Sequence, residues 1–227
     1  RQTRRPPRSS ARRSQVRGEI ALTPVMRTDR LDRGRREAAF GDGMKLLAAA
    51  DIHLGCPPAR VLPDWAAAFS PRRAFERLVD AAIQEEVDAL LLAGDVAHEE
   101  QFFYEAFGTL RQGVERLQGK GIPLVAVAGN HDTAVLPELA EAVDDPQAFR
   151  LLGRGGQWES TDLACQDGTR VRVWGWSFPE AHHGENPLAD FPGPGEDAPA
   201  WVLGLLHANR GARTSPYAPV PDRKSVV

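Results

Sequence analysis

Residues 122–132 read IPLVAVAGNHD, a short apolar run followed by an amide, an imidazole and a carboxylate in succession. An apolar run of this length that ends at a glycine is typical of a buried strand. In open α/β sheets, ligand sites lie beyond the carboxyl ends of the strands. The stretch therefore predicts a strand that delivers Asn130, His131 and Asp132 to a functional site.

Two earlier apolar runs have the same form. KLLAAA (45–50) ends at Asp51, and DALLLAG (88–94) ends at Asp95. Between them, SPRRAFERLVDAAIQEEV (70–87) predicts an amphipathic helix, because an N-cap serine and a first-turn proline precede apolar residues spaced by three and four. A second helix is predicted after the second strand, with apolar residues from Phe103 to Leu117 at the same spacing. This alternation is typical of an α/β domain.

The remainder of the chain predicts further strands. A short helix is expected over LPELAEAV (136–143), and a hairpin over residues 160–177, where Gln166-Asp167-Gly168 is a tight-turn signal. Residues 179–199 are rich in proline, glycine and acids and are expected to form a loop. WVLGLLHAN (201–209) predicts another buried strand, which ends at His207.

Charge divides the chain of 227 residues into two parts. Residues 1–43 hold twelve arginines and five acids, a net charge of +7, and the remainder carries −10. The first part is expected to be either a disordered arginine-rich leader, which could contact nucleic acid, or upstream translation before a true start at Met44. Residues 44–227, with their ample apolar content, are expected to form one domain.

The cysteine content and the hydropathy of the chain indicate its cellular compartment. Cys56 and Cys165 are far apart and have no CxxC spacing, so the sequence predicts neither a disulfide framework nor a thiolate zinc site. There is no apolar run of about 18 residues for a membrane span, and the first residues lack the apolar core of a secretory signal. These features favour a cytoplasmic protein that does not contact a membrane.

The polar residues at the predicted strand ends all have side chains that can bind a metal ion. Carboxylate and amide oxygens together with imidazole nitrogens suit Mn²⁺, Fe²⁺ or Zn²⁺. A single aspartate after a strand is usually a helix cap or a turn residue, and a single histidine is usually a polar residue with ordinary partners. The conjunction at four predicted strand ends indicates a metal site. Its candidate ligands are Asp51, His53, Asp95, Asn130 and His207.

The motifs ADIHLG, LLLAGDV, VAVAGNHD and GLLHAN resemble the first four motifs of the calcineurin-like metallophosphoesterases. The flanking sequence is most similar to SbcD-type DNA-repair exonuclease subunits. The resemblance covers residues 44 to about 220 and implies a four-layer α/β/β/α sandwich. It also implies two divalent ions, with Mn²⁺ the first choice and Fe²⁺ or Zn²⁺ as alternatives, that activate a hydroxide for in-line attack on a phosphodiester.

The resemblance assigns the metal ligands position by position. Asp51 and His53 would bind the first ion, Asp95 would bridge both ions, and Asn130 and His207 would bind the second.

The resemblance also implies catalytic roles. His131 would protonate the leaving oxygen or stabilise charge on the phosphoryl group, and Asp132 would orient His131 through the far ring nitrogen. His98 would contact the substrate phosphate, with an exposed histidine at a helix start as the alternative. His182 and His183 match no motif and are interpreted as surface residues.

The family's fifth motif, Gly-His-x-His, is absent from this chain. The sequence therefore predicts a partial catalytic domain that binds metal more weakly than an intact relative. For the intact protein the resemblance implies DNA as substrate, an SbcC-type SMC-like ATPase as partner and a homodimer. The alternatives are a phosphodiesterase or phosphatase for a small substrate, and a non-catalytic fragment.

Overall fold

The structure is a computed structural model that describes residues 43–56 and 70–221, without the side chains of residues 99–103. The predicted leader, residues 1–43, lies outside the described residues except for Gly43, and so does the side chain of Phe103. What the sequence predicts for them stays a prediction.

A four-stranded parallel sheet forms the centre of the domain, in the order β1-β2-β3-β4. Its first three strands match the three predicted apolar runs. The fourth was not predicted, because three residues are too few to show a hydrophobic pattern. The strands are β1 Leu46–Ala49, β2 Ala89–Ala93, β3 Leu124–Val127 and β4 Phe149–Leu151.

Three α-helices cover one face of this sheet: α1 Pro71–Gln84, α2 Glu99–Gln118 and α3 Val135–Val143. The α1 helix begins as its sequence predicts, since Ser70 Oγ accepts a hydrogen bond from the N–H of Arg73 at 3.2 Å. Gly113 on α2 lets the first two helices approach each other, because a Cβ there would lie 2.5 Å from the ring of Phe75.

A second sheet packs against the opposite face of the first. It contains β5 Glu159–Ala164, β6 Arg170–Trp176 and β7 Trp201–Leu206. The β5 and β6 strands form the predicted antiparallel hairpin, and β7 pairs with β6 in parallel. Two short strands, β8 Asn209–Arg210 and β9 Pro219–Val220, pair with each other after β7.

Alternation along β2 shows how the layers share one strand. Leu90 and Leu92 pack among the helices, whereas Leu91 packs with Val171 and Val173 of the second sheet. The described residues therefore form helix, sheet and sheet layers, and they place no α-helix on the outer face of the second sheet. The α/β class is confirmed, and the fourth layer stays a prediction. None of the helices in the described ranges has the length and apolarity that crossing a membrane requires.

Candidate metal centre

The predicted site residues lie at one edge of the two sheets. Asp51 comes shortly after β1, Asp95 shortly after β2, Asn130 shortly after β3 and His207 directly after β7. Parallel strands end at the same edge of a sheet, so residues distant in sequence meet there.

Three of these residues have left-handed backbone conformations. The φ angles are 54° at Asp51, 53° at His53 and 50° at Asp95. Such a conformation costs a non-glycine residue about 1–3 kcal/mol and persists where the surrounding structure holds it, often at functional sites. Here the loops after β1 and β2 hold each other, because the N–H of Asp51 donates to the carbonyl of Gly94 at 3.1 Å and the N–H of His53 to that of Asp95 at 2.9 Å.

Two glycines let the strand-end loops approach closely. A Cβ on Gly94, whose φ is 82°, would lie 2.5 Å from Cβ of His207. A Cβ on Gly129 would lie 2.1 Å from Oδ1 of Asp95. The glycines of the GD and GNHD motifs are therefore required by packing around the ligands, since any larger residue would push the ligand side chains away.

Asp95 lies at the centre of the site and is 4% exposed. Its Oδ2 atom is 3.4 Å from Nε2 of His207 and 3.8 Å from Nε2 of His53, and its Oδ1 atom accepts a hydrogen bond from the N–H of His131 at 3.1 Å. Within the described ranges, its ion pairs are to histidines and none is to lysine or arginine. A buried carboxylate needs compensating charge, which a cation at this position would provide.

The donor set fits a divalent cation. One ligand atom from each of Asp51, Asp95 and His207 lies within 4.8 Å of the others. His207 Nδ1 is 3.3 Å from the carbonyl oxygen of Ala93, and donating there leaves the lone pair on Nε2, which faces Asp95. Such a hydrogen bond from the far nitrogen is typical of metal-binding histidines.

Three histidine rings, those of His53, His98 and His131, lie together on the side of Asp95. The ring centroids of His98 and His131 are 4.7 Å apart, those of His53 and His131 are 5.4 Å apart, and those of His53 and His98 are 6.1 Å apart. His98 lies directly before α2, at the helix start that the alternative predicted, but it is partly buried and not exposed. Burial lowers the pKa of His53, which favours the neutral imidazole that binds metals.

Asp132 differs from the sequence prediction, which gave it the role of orienting His131. Its Oδ2 atom accepts hydrogen bonds from the N–H groups of Val96 at 2.7 Å and Ala97 at 3.3 Å, and its Oδ1 atom accepts one from Gly129 at 2.6 Å. Among the described hydrogen bonds, none joins its carboxylate to the ring of His131. The fully buried side chain therefore ties the loop after β3 to the loop after β2. Burial, followed by the negative charge of Asp95, raises the pKa of Asp132 to about 7.

Substitution of Asp132 by alanine is expected to lower the free energy of unfolding by about 2–4 kcal/mol, because three buried N–H groups would lose their acceptor. Urea unfolding followed by circular dichroism measures the change. Glu138→Ala, which removes an exposed acid from the first turn of α3, is the control. A loss no larger than that of the control would show that these hydrogen bonds do not hold the loops.

Ser177 and Phe178 also hold the site, although the sequence pattern assigned them no role. Ser177 Oγ accepts from the N–H of Ala128 at 2.8 Å and donates to the carbonyl of Leu152 at 2.6 Å. The N–H of Phe178 donates to the carbonyl of Ala128 at 3.0 Å, and its ring centroid is 6.0 Å from that of His207. The WSFP segment thus fixes the backbone directly before the GNHD motif. The sequence did hold one signal for this role, because the buried strand β6 ends directly before a serine, Ser177.

The two remaining histidines differ from each other. His182 is exposed, as the sequence predicts, and its ring stacks on that of Tyr217. His183 is partly buried, with its ring centroid 5.0 Å from that of Trp176, which corrects its interpretation as a surface residue.

A helix-covered parallel sheet with carboxylates and imidazoles at its strand ends defines a metal-binding α/β protein. Residues 44–208 match the calcineurin-like phosphoesterase family, and the chain belongs to that family. The family and the donor set together support a phosphoesterase that uses divalent metal ions.

Curated relatives are similar at modest identity. An uncharacterized metallophosphoesterase, YhaO, from Bacillus subtilis is 28% identical over 78% of this chain and 44% of its own length. The DNA double-strand break repair protein Mre11 from Haloferax volcanii is 31% identical over 58% of this chain and 26% of its own length. A subunit of the nuclease SbcCD from Rhodobacter capsulatus is 32% identical over 48% of this chain and 27% of its own length. The chain spans less than half the length of these relatives.

Proposed function

We propose that this protein is a metal-dependent phosphodiester hydrolase that acts as the exonuclease subunit of a DNA-repair complex. The observation that carries the hydrolase is the convergence of His53, His207 and the backbone of His131 on the buried carboxylate of Asp95. Support for a DNA substrate comes from the relatives named as the repair protein Mre11 and as part of the nuclease SbcCD.

In this proposal two divalent ions are held by Asp51, His53, Asp95, Asn130 and His207. When bound, the ions stabilise the charge on the phosphate and lower the pKa of water. Mn²⁺ is the favoured ion, because it accepts carboxylate, amide and imidazole ligands together, and Fe²⁺ or Zn²⁺ would also suit this set.

His131 is the proposed catalytic residue. Its backbone N–H is held by Asp95 and its ring lies beside that of His98, so an imidazole is fixed next to the carboxylate group without being needed as a ligand. It would give a proton to the leaving oxygen. His98 would contact a phosphate oxygen, and Asp132 would act as a positioning residue by joining the two loops that carry Asp95 and Asn130.

A small phosphodiester or phosphomonoester is the alternative substrate. Residues 44–227 carry a net charge of −10, and a basic stripe that follows a DNA backbone is not evident in that sequence. The nuclease therefore needs either the arginine-rich residues 1–43 or a partner to supply positive charge. An SbcC-type SMC-like ATPase is the proposed partner, a homodimer is the proposed assembly and the cytoplasm the proposed compartment.

Manganese binding and hydrolysis together test the proposal. For a version of the chain continued through a Gly-His-x-His motif, we expect two Mn²⁺ ions per molecule by calorimetry and elemental analysis, with manganese-dependent hydrolysis of bis-p-nitrophenyl phosphate. The 227-residue chain is expected to bind Mn²⁺ more weakly. The measurement is made on the 227-residue chain and on a version continued through a Gly-His-x-His motif. Failure of both proteins to bind metal and turn over would contradict the hydrolase.

An end-labelled duplex separates the two substrates. Nucleotides released from the duplex ends support the exonuclease. Hydrolysis of the generic diester without attack on DNA, in the presence of the ATPase, would favour the small-substrate enzyme.

A further inference from the structure

A thiol lies beside the histidine cluster, where the sequence spacing does not indicate one. Sγ of Cys56 and one ring nitrogen from each of His53 and His98 lie within 4.8 Å of one another. The N–H of Cys56 donates to the carbonyl of His53 at 3.0 Å and closes a turn between them. Local backbone structure therefore holds the thiol next to the imidazole of His53. We name these three residues the thiol cluster.

His98, a member of the thiol cluster, has a ring nitrogen that lacks a hydrogen-bond partner among the described residues. Nδ1 of His98 is buried and makes no hydrogen bond among the described residues. Such an atom costs about 1–3 kcal/mol unless something pairs with it. The backbone of His98 is fixed, because its N–H donates to the carbonyl of Leu54 at 2.8 Å. The ring of His98 can therefore take a partner that the described residues do not provide.

We propose that the thiol cluster binds a thiophilic divalent cation such as Zn²⁺, at a second site beside the carboxylates of Asp51 and Asp95. One thiolate and two imidazoles are a zinc donor set, and three protein ligands leave a fourth position for water. On binding, the Cys56 thiol releases its proton to solvent and its sulfur donates to the cation. Mn²⁺ prefers oxygen ligands and is expected to bind at the carboxylates instead.

Occupation of this second site has a consequence for the first. Nε2 of His53 is 3.8 Å from Asp95, so one imidazole serves both sites. The ring of His98 also lies next to that of His131. Zinc held by Cys56 would withdraw both imidazoles from phosphate chemistry and inhibit the manganese-dependent reaction. This consequence rests on the proposed function, whereas the binding itself does not.

Cobalt provides a spectroscopic test of the binding on the full chain. Co²⁺ is added to the protein, and near-ultraviolet absorption from thiolate-to-cobalt charge transfer is recorded. We expect a band that Zn²⁺ abolishes by displacement and that is lost in Cys56→Ser. The matched control is Cys165→Ala, which should keep the band, because Cys165 is buried between the sheets and burial raises its pKa to about 11. Absence of the band in the full chain, or its persistence in Cys56→Ser, would overturn the proposal.

Alkylation provides a second readout that does not depend on activity. Zn²⁺ is expected to slow the reaction of Cys56 with iodoacetamide about tenfold or more, because only the thiolate with a free lone pair reacts. Mn²⁺ should leave the rate unchanged, and equal protection by both ions would contradict a thiophilic site. A Cys56-dependent cobalt band in a protein that hydrolyses nothing with manganese would support the zinc site while refuting the proposed hydrolase.

Discussion

Substitution of His131 by asparagine is expected to lower kcat for phosphodiester hydrolysis by about 10²–10⁴-fold, the usual contribution of a positioned acid or base. The metal content should stay nearly unchanged. The side chain of His131 lies among the histidine rings, whereas its backbone N–H is what contacts Asp95, and asparagine retains that N–H. The substitution therefore removes the proton donor and leaves the hydrogen bond to the central carboxylate.

Steady-state kinetics and elemental analysis on the same samples test this expectation. His182→Asn is the matched control, because His182 is exposed and belongs to no part of the proposed machinery. Loss of metal together with activity would show that His131 is a ligand. Retained activity would show that another group supplies the proton.

Substitution of Asp95 by asparagine is expected to weaken the binding of both divalent ions by at least about 10–100-fold. One oxygen of Asp95 faces His53 and His207 at the same time, so a neutral amide in its place removes the negative charge shared by both halves of the site. The metal-free Asp95→Asn variant is expected to stay folded, because the substitution removes a buried negative charge together with the metal ligand.

Thermal unfolding with and without Mn²⁺ reads out this change. Mn²⁺ at one hundred times its dissociation constant stabilises the parent protein by about 2.7 kcal/mol for each ion bound, and Asp95→Asn should abolish most of that gain. Asp144→Asn is the control, because Asp144 is exposed and has a left-handed φ of 47° that asparagine tolerates. Retention of two tightly bound ions in Asp95→Asn would exclude a bridging role.

Periodicity alone was sufficient to predict most of the fold. Spacings of three and four marked α1 and α2, and short apolar runs marked the first three parallel strands, because burial of one helix face or a whole strand leaves a pattern in the sequence. The strand β4 left no such pattern in its three residues. Its place in the sheet is decided by parallel pairing with β3, in which Phe149 lies opposite Leu124.

The main site could also be located from the sequence. Asp51, Asp95, Asn130 and His207 each follow a predicted strand, and the geometry of a parallel sheet brings such positions to one edge. The chemistry of the side chains then indicated a cation. The structure adds how the close approach is achieved, since Gly94 and Gly129 have no Cβ where the loops meet.

The tertiary structure alone decided which partners the remaining polar residues take. Asp132 accepts hydrogen bonds from Val96 and Ala97, which are more than thirty residues away in sequence, and none of its described hydrogen bonds is to the ring of the neighbouring His131. Cys56 joins His98 in the thiol cluster across a comparable separation. Hydrophobic patterning in the sequence determines the layers of the fold and the strand ends. Side-chain contacts between loops have no such period in the sequence. The way in which the loops approach each other therefore determines what each residue at the strand ends can bind.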